Sequence, residues 1–517
     1  MPDTVTSFRA RHACHNRATR PTRMSQPIRS ILVLGGGSAG LLSALALKTK
    51  LPDLAVTVVR SKEIGIIGVG EGSTVSLTRF LHDYIKVDNA TFYAVARPTW
   101  KLGLKFIWGP RPYFHYSFGP GLDARYDDMP KATGYYCDES VEYTDLISAM
   151  MTHDRVFQRS PRGIEFHDSI AYHVENHTFV EYLEQLALRR GVEIRDDTVQ
   201  EVRQDEAGIR ELLLKSGATA SADLYVDCSG YGSLLLGKTL GEPFISYASS
   251  LFCDKAIVGG WTRTDEVIKP YTLCETMDSG WAWQIEHETR INRGYVYSSA
   301  FISDADAEAE FRRKNPKVGP TRVVKFIAGR YARNWVKNVV AIGNAAGFVE
   351  PLEATALSVI GMQSAILADT LKESNLAPTS WDVRLCNDHH ARTWDPIRGF
   401  IALHYKFNTR LETPFWRECQ EKTDLACAAD LASFYLENGP TPVWQRAIVD
   451  PYDQFRLAGY WTLMVGMAVP FRTKYVPDPA HVQLLNNKRA YFRERALAAM
   501  SVREALDLVQ SPQWQWA

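Results

Sequence analysis

The chain has 517 residues, about three to four times the roughly 150 typical of one domain, which excludes a small module. Hydrophobic residues make up 45%, charged residues 23% and aromatic residues 11%, with 34 Gly and 25 Pro, a globular composition that excludes disorder, collagen and coiled coil as whole-chain descriptions. Lys plus Arg and Asp plus Glu balance at 59 each, so no global field attracts nucleic acid or an anionic membrane, and any charged ligand is recognised locally.

The eight cysteines, Cys14, Cys137, Cys228, Cys253, Cys274, Cys386, Cys419 and Cys427, are dispersed and form no C-x-x-C pair. This spacing argues against a metal ribbon or a redox dithiol and favours reduced thiols in a cytoplasmic protein. No apolar run approaches the roughly eighteen residues that span a bilayer. The first 28 residues carry five Arg and Asp3 as their acid. That is a transit-like composition, but Met24 stands just ahead of the first strand; residues 1–28 are read as a flexible N-terminal extension, of which 1–23 have no structural role.

Residues 31–34 (Ile-Leu-Val-Leu) are a short apolar run that enters Gly35-Gly36-Gly37-Ser38-Ala39-Gly40 and then Leu41 to Leu47: strand, tight turn, helix. In such a unit Gly35 permits the turn, Gly37 admits a pyrophosphate close to the backbone, and Gly40 lets the helix sit on the sheet. The helix N-terminus, at Ser38 and Ala39, supplies free N–H donors for the phosphates. A second strand, 55–59, ends at Arg60 and Ser61, where the acid that usually meets the adenosine ribose, about twenty residues on, is missing; Arg60 is a candidate for a 2′-phosphate or simply a strand-end cation. Two later strands, 223–230 (Asp-Leu-Tyr-Val-Asp-Cys-Ser-Gly) and 339–347, the latter running into Gly343 and Asn344, resemble recurrent FAD-contact segments of the flavoprotein monooxygenase-like fold, which makes the dinucleotide FAD. No second G-x-G-x-x-G follows a strand, so no NAD(P)H domain is evident.

Beyond 375, the segments 382–398, 425–436 and 486–509 show helical spacing of apolar residues, and the Pro/Gly text at 438–443 reads as a joint. The fold expected is α/β: an FAD-binding core over 29–375, with a mixed-sheet substrate layer near 100–130 and 243–330, and a mainly helical region over 376–517 that completes the substrate site.

Seven segments then point to one family. They are Gly68-Val-Gly-Glu-Gly-Ser-Thr74, Lys101-Leu-Gly-Leu-Lys105-Phe106, Tyr116-Ser-Phe118-Gly119, Gly280-Trp281-Ala-Trp283-Gln-Ile285, Gly294-Tyr-Val-Tyr-Ser-Ser299, Phe348-Val-Glu-Pro-Leu-Glu353 and Thr413-Pro-Phe-Trp-Arg417. In these the sequence resembles the flavin-dependent halogenases of the tryptophan halogenase type, over residues 29 to about 420. The resemblance implies that FADH2 from a separate flavin reductase, O2 and a halide ion, chloride or bromide, yield hypohalous acid, which is directed to a small aromatic substrate. It implies that Lys101 holds the hypohalous acid by hydrogen bonding or as a haloamine, with Lys105 the fallback. It implies that Glu353 stabilises the cationic arene and takes its proton, with Glu350 the lesser candidate. Trp281 and Trp283 alternate on one side of an extended segment and would separate flavin from substrate.

The sequence also departs from that family. The segment F-x-x-P-x-x-S-x-G, whose terminal amides hold halide, here carries Ala354 for Ser and Ala356 for Gly. The amides of Thr355 and Ala356 survive, but the Ala356 methyl occupies a place where Gly allows unusual backbone angles, and bromide is expected to outperform chloride. Tyr116 and Phe118 replace a His and a Phe that sandwich indole, retaining an aromatic platform. Residues 450–461 lack the paired tyrosines and acid that grip free tryptophan, so indole or a substituted indole is the expected substrate. The competing readings are a flavin-dependent aromatic hydroxylase and a non-catalytic flavin-binding protein. The first normally needs its own NAD(P)H reduction; the second has no use for Lys101 and Glu353. Neither a metal site nor a nucleic-acid or membrane partner is expected, and a homodimer is the assembly allowed for.

Overall fold

Ile31, Leu32, Val33 and Leu34 are all buried because the strand Ser30–Leu34 runs through the middle of a six-stranded sheet. Its order is Glu193–Asp196, Ala55–Arg60, Ser30–Leu34, Leu224–Asp227, Val339–Ala341, Trp335–Val336. All pairings are parallel except the last. A strand covered on both faces reads as a continuous apolar run. The computed structural model describes residues 27–65, 70–119, 141–161, 163–441, 444–473, 476 and 478–516; the extension up to residue 26, Cys14, Cys137, Gly68, Val69 and residues 120–130 of the expected substrate layer lie outside them. Ile28 is buried, and its N–H donates to Leu376 O at 2.7 Å.

The helix Ser38–Lys50 follows directly, and no side chain caps its first turn, so its leading N–H groups are free for a ligand. A β-carbon on Gly40 would stand 1.8 Å from Gly35 O, and only glycine allows this approach of helix to turn.

The second layer is a seven-stranded sheet in the order Arg322–Lys325, Lys255–Thr262, Arg290–Tyr297, Gly280–Glu286, Thr272–Met277, Gly103–Ile107, Phe114–Ser117. It is antiparallel except where Thr272–Met277 runs beside Gly103–Ile107. A small three-stranded sheet joins Glu71–Gly72 and Thr99–Lys101 to opposite edges of Ala171–Val174.

The C-terminal helices Ser380–Phe407, Pro414–Lys422, Ala429–Asn438 and Arg456–Gly466 put Phe400, Trp416, Leu431, Trp461 and Met464 into one apolar cluster with Leu104, Phe106 and Trp108. The expected helix over 486–509 is two helices, Pro479–Ala498 and Val502–Val509, because the strand Met500–Ser501 intervenes and pairs with Arg155–Ser160. The pairing overrides a helical spacing that continues through it. Ser501 then caps the second helix by accepting from Glu504 N at 3.2 Å, worth about 1 kcal/mol.

Candidate active site

A cleft of about 610 Å³ opens at the end of the glycine turn. Gly35, Gly37, Ser38, Ala39, Arg60, Asn344, Trp283 and Ala356 all line it, as do Glu71 and Gly72 of the segment 68–74, and Asn176 and Thr272, which sequence reasoning did not single out. A β-carbon at Gly37 would meet nothing within 4 Å, so space for a phosphate lies beside the uncapped helix. The size of the cleft, the bare amides and the small residues that line it fit a dinucleotide. Gly40 and Gly343 stand one layer behind, against Gly35 and Ile360 respectively. Arg60 lies along the cleft but is ion-paired to Glu184.

Lys101 ends the strand Thr99–Lys101 with its side chain fully buried. Its ammonium donates to Ser73 O at 3.0 Å and stands 5.3 Å from the centre of the Phe118 ring. Burial pushes its pKa from 10.5 down to about 8, and the acidic groups of Cys274 and Glu353 pull it back up. A β-carbon on Gly72 would come within 3.2 Å of Lys101 Nζ, so the lysine lies against a residue that lines the cleft. Lys105 is half-buried elsewhere, with Nζ 3.8 Å from the centre of the Tyr113 ring.

Glu353 closes a single 3-10 turn, Pro351–Glu353, which Ala354 terminates in the left-handed region at φ 54° and ψ 36°. The unusual backbone angle of this segment thus falls on Ala354, whereas Ala356 is the first residue of the regular helix Ala356–Glu373. The expectation of strain at Ala356 is therefore corrected: a non-glycine left-handed residue costs about 1–2 kcal/mol, and this chain bears it at Ala354. Glu353 is almost wholly buried, with Oε1 2.8 Å from Nε2 of the equally buried His404, a close contact whose angle falls short of a hydrogen bond. His404 comes from the helix Ser380–Phe407 and carries no signal in the sequence. Thr355 is buried, while Ala354 and Ala356 line the cleft.

Trp281 and Trp283 have ring centres 6.1 Å apart, and Trp283 faces the cleft. The Trp281 indole N–H donates to Glu350 Oε2 at 2.7 Å, and Tyr405 O–H donates to the same oxygen at 2.5 Å. Glu350 is thus engaged with the tryptophan wall, and burial raises its pKa from 4.5 to about 7. Tyr116 and Phe118 lie on the last strand of the seven-stranded sheet and just past it: Phe118 meets Lys101, and Tyr116 packs edge-on to Phe400 at 6.1 Å and abuts Gly459.

Residues 30–477 match the tryptophan halogenase family model. The chain belongs to the tryptophan halogenase family. As such it is a flavin-dependent halogenase, with FAD the cofactor that the cleft fits. The tryptophan 7-halogenase RebH of Lentzea aerocolonigenes is 30% identical over 80% of this chain and 86% of its own. Among solved structures, MibH, a lanthipeptide tryptophan 5-halogenase, superposes with a TM-score of 0.82 at 38% identity, covering 93% of each chain. BrvH, a flavin-dependent halogenase from Brevundimonas sp. BAL3, gives 0.81 at 27% identity over 93% of this chain and 99% of its own. In this halogenase no group of three or more His, Cys, Asp or Glu among the described residues forms a metal cluster, and no described helix is long and apolar enough to cross a membrane.

Proposed function

We propose that this halogenase places chlorine or bromine on the indole ring of a small aromatic substrate, with bromide favoured, using FADH2 delivered by a separate flavin reductase in the cytoplasm. FADH2, held at the turn from Gly35 to Ala39, would supply the two electrons that take one oxygen atom of O2 to water as the other goes to halide as hypohalous acid. The amides of Thr355 and Ala356 hold the halide. Lys101, buried and cationic below about pH 8, donates hydrogen bonds to the hypohalous acid and keeps it from bulk water, where it would react anywhere. Glu353 faces the arene, offsets the positive charge that develops on the ring and accepts the ring proton. Trp281 and Trp283 exclude the arene from the flavin, while Phe118 and Tyr116 hold it by its faces.

The observation that carries this reading is the position of Lys101 Nζ: directly behind Gly72 of the cleft, over the Phe118 ring, and within the field of Glu353. Nothing in the binding of FAD alone calls for a buried ammonium there.

The indole preference is supported by the stretch 450–461. Asp450 is committed to Arg392, and Asp453 accepts from Tyr460 O–H at 2.7 Å and from the Phe455 amide. These acids are already satisfied and do not grip an amino acid's ammonium. RebH and MibH are tryptophan halogenases, and tryptophan is itself a substituted indole. The deciding assay supplies FAD, a flavin reductase and NADH under air, and compares indole, free tryptophan and a tryptophan-containing peptide with each halide by mass spectrometry. A higher kcat/KM for indole with bromide than for tryptophan with chloride is the expected result; the reverse order overturns the substrate and halide assignment.

A further inference from the structure

Gly72 and Thr272 both line the flavin cleft. Around the point where a β-carbon on Gly72 would stand, Thr272 Oγ1 lies at 3.1 Å, Lys101 Nζ at 3.2 Å and the Ala354 methyl at 3.5 Å. Gly72, Thr272 and Ala354 line the cleft and Lys101 lies against Gly72, so these atoms meet at the neck of the site, where the cleft comes up against the lysine. The ammonium can only donate, and the methyl of Ala354, where the family text has Ser, offers no hydrogen bond at all. The Thr272 hydroxyl is the group of this ring that can accept.

That hydroxyl is held. Thr272 is buried, and its Oγ1 is hydrogen-bonded to His173 Nε2 at 2.8 Å. His173 pairs across one strand edge with Gly72 and across the other with Thr99, so its ring is anchored in the same small sheet that carries Gly72 and Lys101. Burial, reinforced by the Lys101 cation, keeps the imidazole neutral. Whichever tautomer the ring adopts, one contact with Nε2 leaves the threonine oxygen at least one lone pair for the neck.

We propose that Thr272, oriented by His173, is a further catalytic residue that accepts the O–H of hypohalous acid while Lys101 donates to the same oxygen, leaving the halogen free to point toward the arene. No covalent bond changes at Thr272. The two contacts fix the molecule at two points where the lysine alone would let it rotate and escape. This proposal rests on the halogenase reading.

The test uses the full chain with FAD, reductase, indole and bromide, and measures two ratios: halogenated indole per O2 consumed, and hypohalous acid trapped by an added amine scavenger per O2 consumed. FAD affinity, from fluorescence titration, and melting temperature serve as readouts of the fold. Thr272→Val, isosteric but without the hydroxyl, is expected to lower the first ratio about tenfold, the effect of one lost hydrogen bond of roughly 1.4 kcal/mol, and to raise the second. Thr272→Ser is expected to restore both ratios to within about twofold, and Ala354→Ser, added to Thr272→Val, to restore part of the loss. Should the valine variant lose FAD binding, His173→Phe leaves the threonine in place but unanchored, and leakage in the same direction is expected. Parent-like ratios in a folded Thr272→Val or His173→Phe, or a serine variant that leaks as the valine variant does, overturn the proposal alone. Absence of both signals in the parent overturns the halogenase reading and this proposal with it.

Discussion

Glu353 and His404 meet in the interior, carboxylate oxygen 2.8 Å from imidazole Nε2, both side chains almost fully shielded from water. His404 Nδ1 lies 3.0 Å from Phe400 O, and because a carbonyl only accepts, Nδ1 carries a hydrogen there. The buried ring therefore fixes where the Glu353 carboxylate can sit, which makes His404 a positioning residue behind it.

Glu353→Gln is therefore expected to lower kcat for halogenation about a hundredfold, in the range of a lost general base, with little change in FAD affinity. His404→Gln should lower kcat less, by about tenfold, because the carboxylate loses the buried ring that fixes its position. Steady-state kinetics check both; a parent-like kcat in the glutamine variant of His404 would show that the ring does not position Glu353.

Lys101 gives a pH dependence of definite sign. With its pKa lowered to about 8 by burial, the ammonium is lost as pH rises past that value, and product formed per O2 consumed should fall about tenfold for each further pH unit. A rise with pH would instead indicate a haloamine made by the free amine. Lys101→Ala should give no product while still binding FAD. In stability the sign is opposite: between about 8 and 10.5 the unfolded chain binds the extra proton, so the contribution of Lys101 to stability improves as pH rises. Lys101→Met is expected to be more stable than the parent at pH 7 in urea denaturation.

Glu350 titrates the other way. Its folded pKa of about 7 exceeds the ordinary 4.5, so the native state binds more protons between those values and stability is lost as pH climbs through 7, by an amount on the order of 3 kcal/mol. Glu350→Gln should flatten that part of the curve. Thermal denaturation at pH 5, 6, 7 and 8 distinguishes the two proteins, and an identical decline in both would show that Glu350 is not its source.

Reduced flavin is expected to come from outside. NADH added anaerobically to the FAD complex should leave the absorbance near 450 nm unchanged over minutes, a typical flavin band rather than a property special to this chain, and addition of a flavin reductase should bleach it. Rapid bleaching by NADH alone would favour a self-reducing hydroxylase.

Much of this was legible because the informative groups are local in sequence. The run Ile31 to Leu34 followed by glycines specifies a central strand and a ligand-binding helix end, and the segments around Lys101, Trp281 and Glu353 each carry their signature within a few residues. What could not be read depends on pairs distant along the chain. Thr272 and His173 are 99 positions apart, and His404 sits on a long amphipathic helix where nothing local marks the turn that reaches Glu353. Alanine occupies both 354 and 356, and composition cannot say which of two alanines adopts the left-handed angle. The spacing of apolar residues across 486–509 is equally compatible with one helix or two, because the two-residue strand between them is decided by its partner, Arg155–Ser160.

That strand also determines how load travels through the molecule. Met500 and Ser501 are laced to Phe157 and Arg155, and farther on Trp516 stacks on Tyr93 at 4.5 Å, whose hydroxyl accepts from the Trp100 indole at 2.7 Å. Trp100 is the neighbour of Lys101. A tether fixed at residue 516, or a deletion reaching back to 499, pulls on the strand that aims the lysine, so immobilisation chemistry is better directed at the exposed face around Trp381 and Leu385, on the first turns of a helix whose far end holds His404.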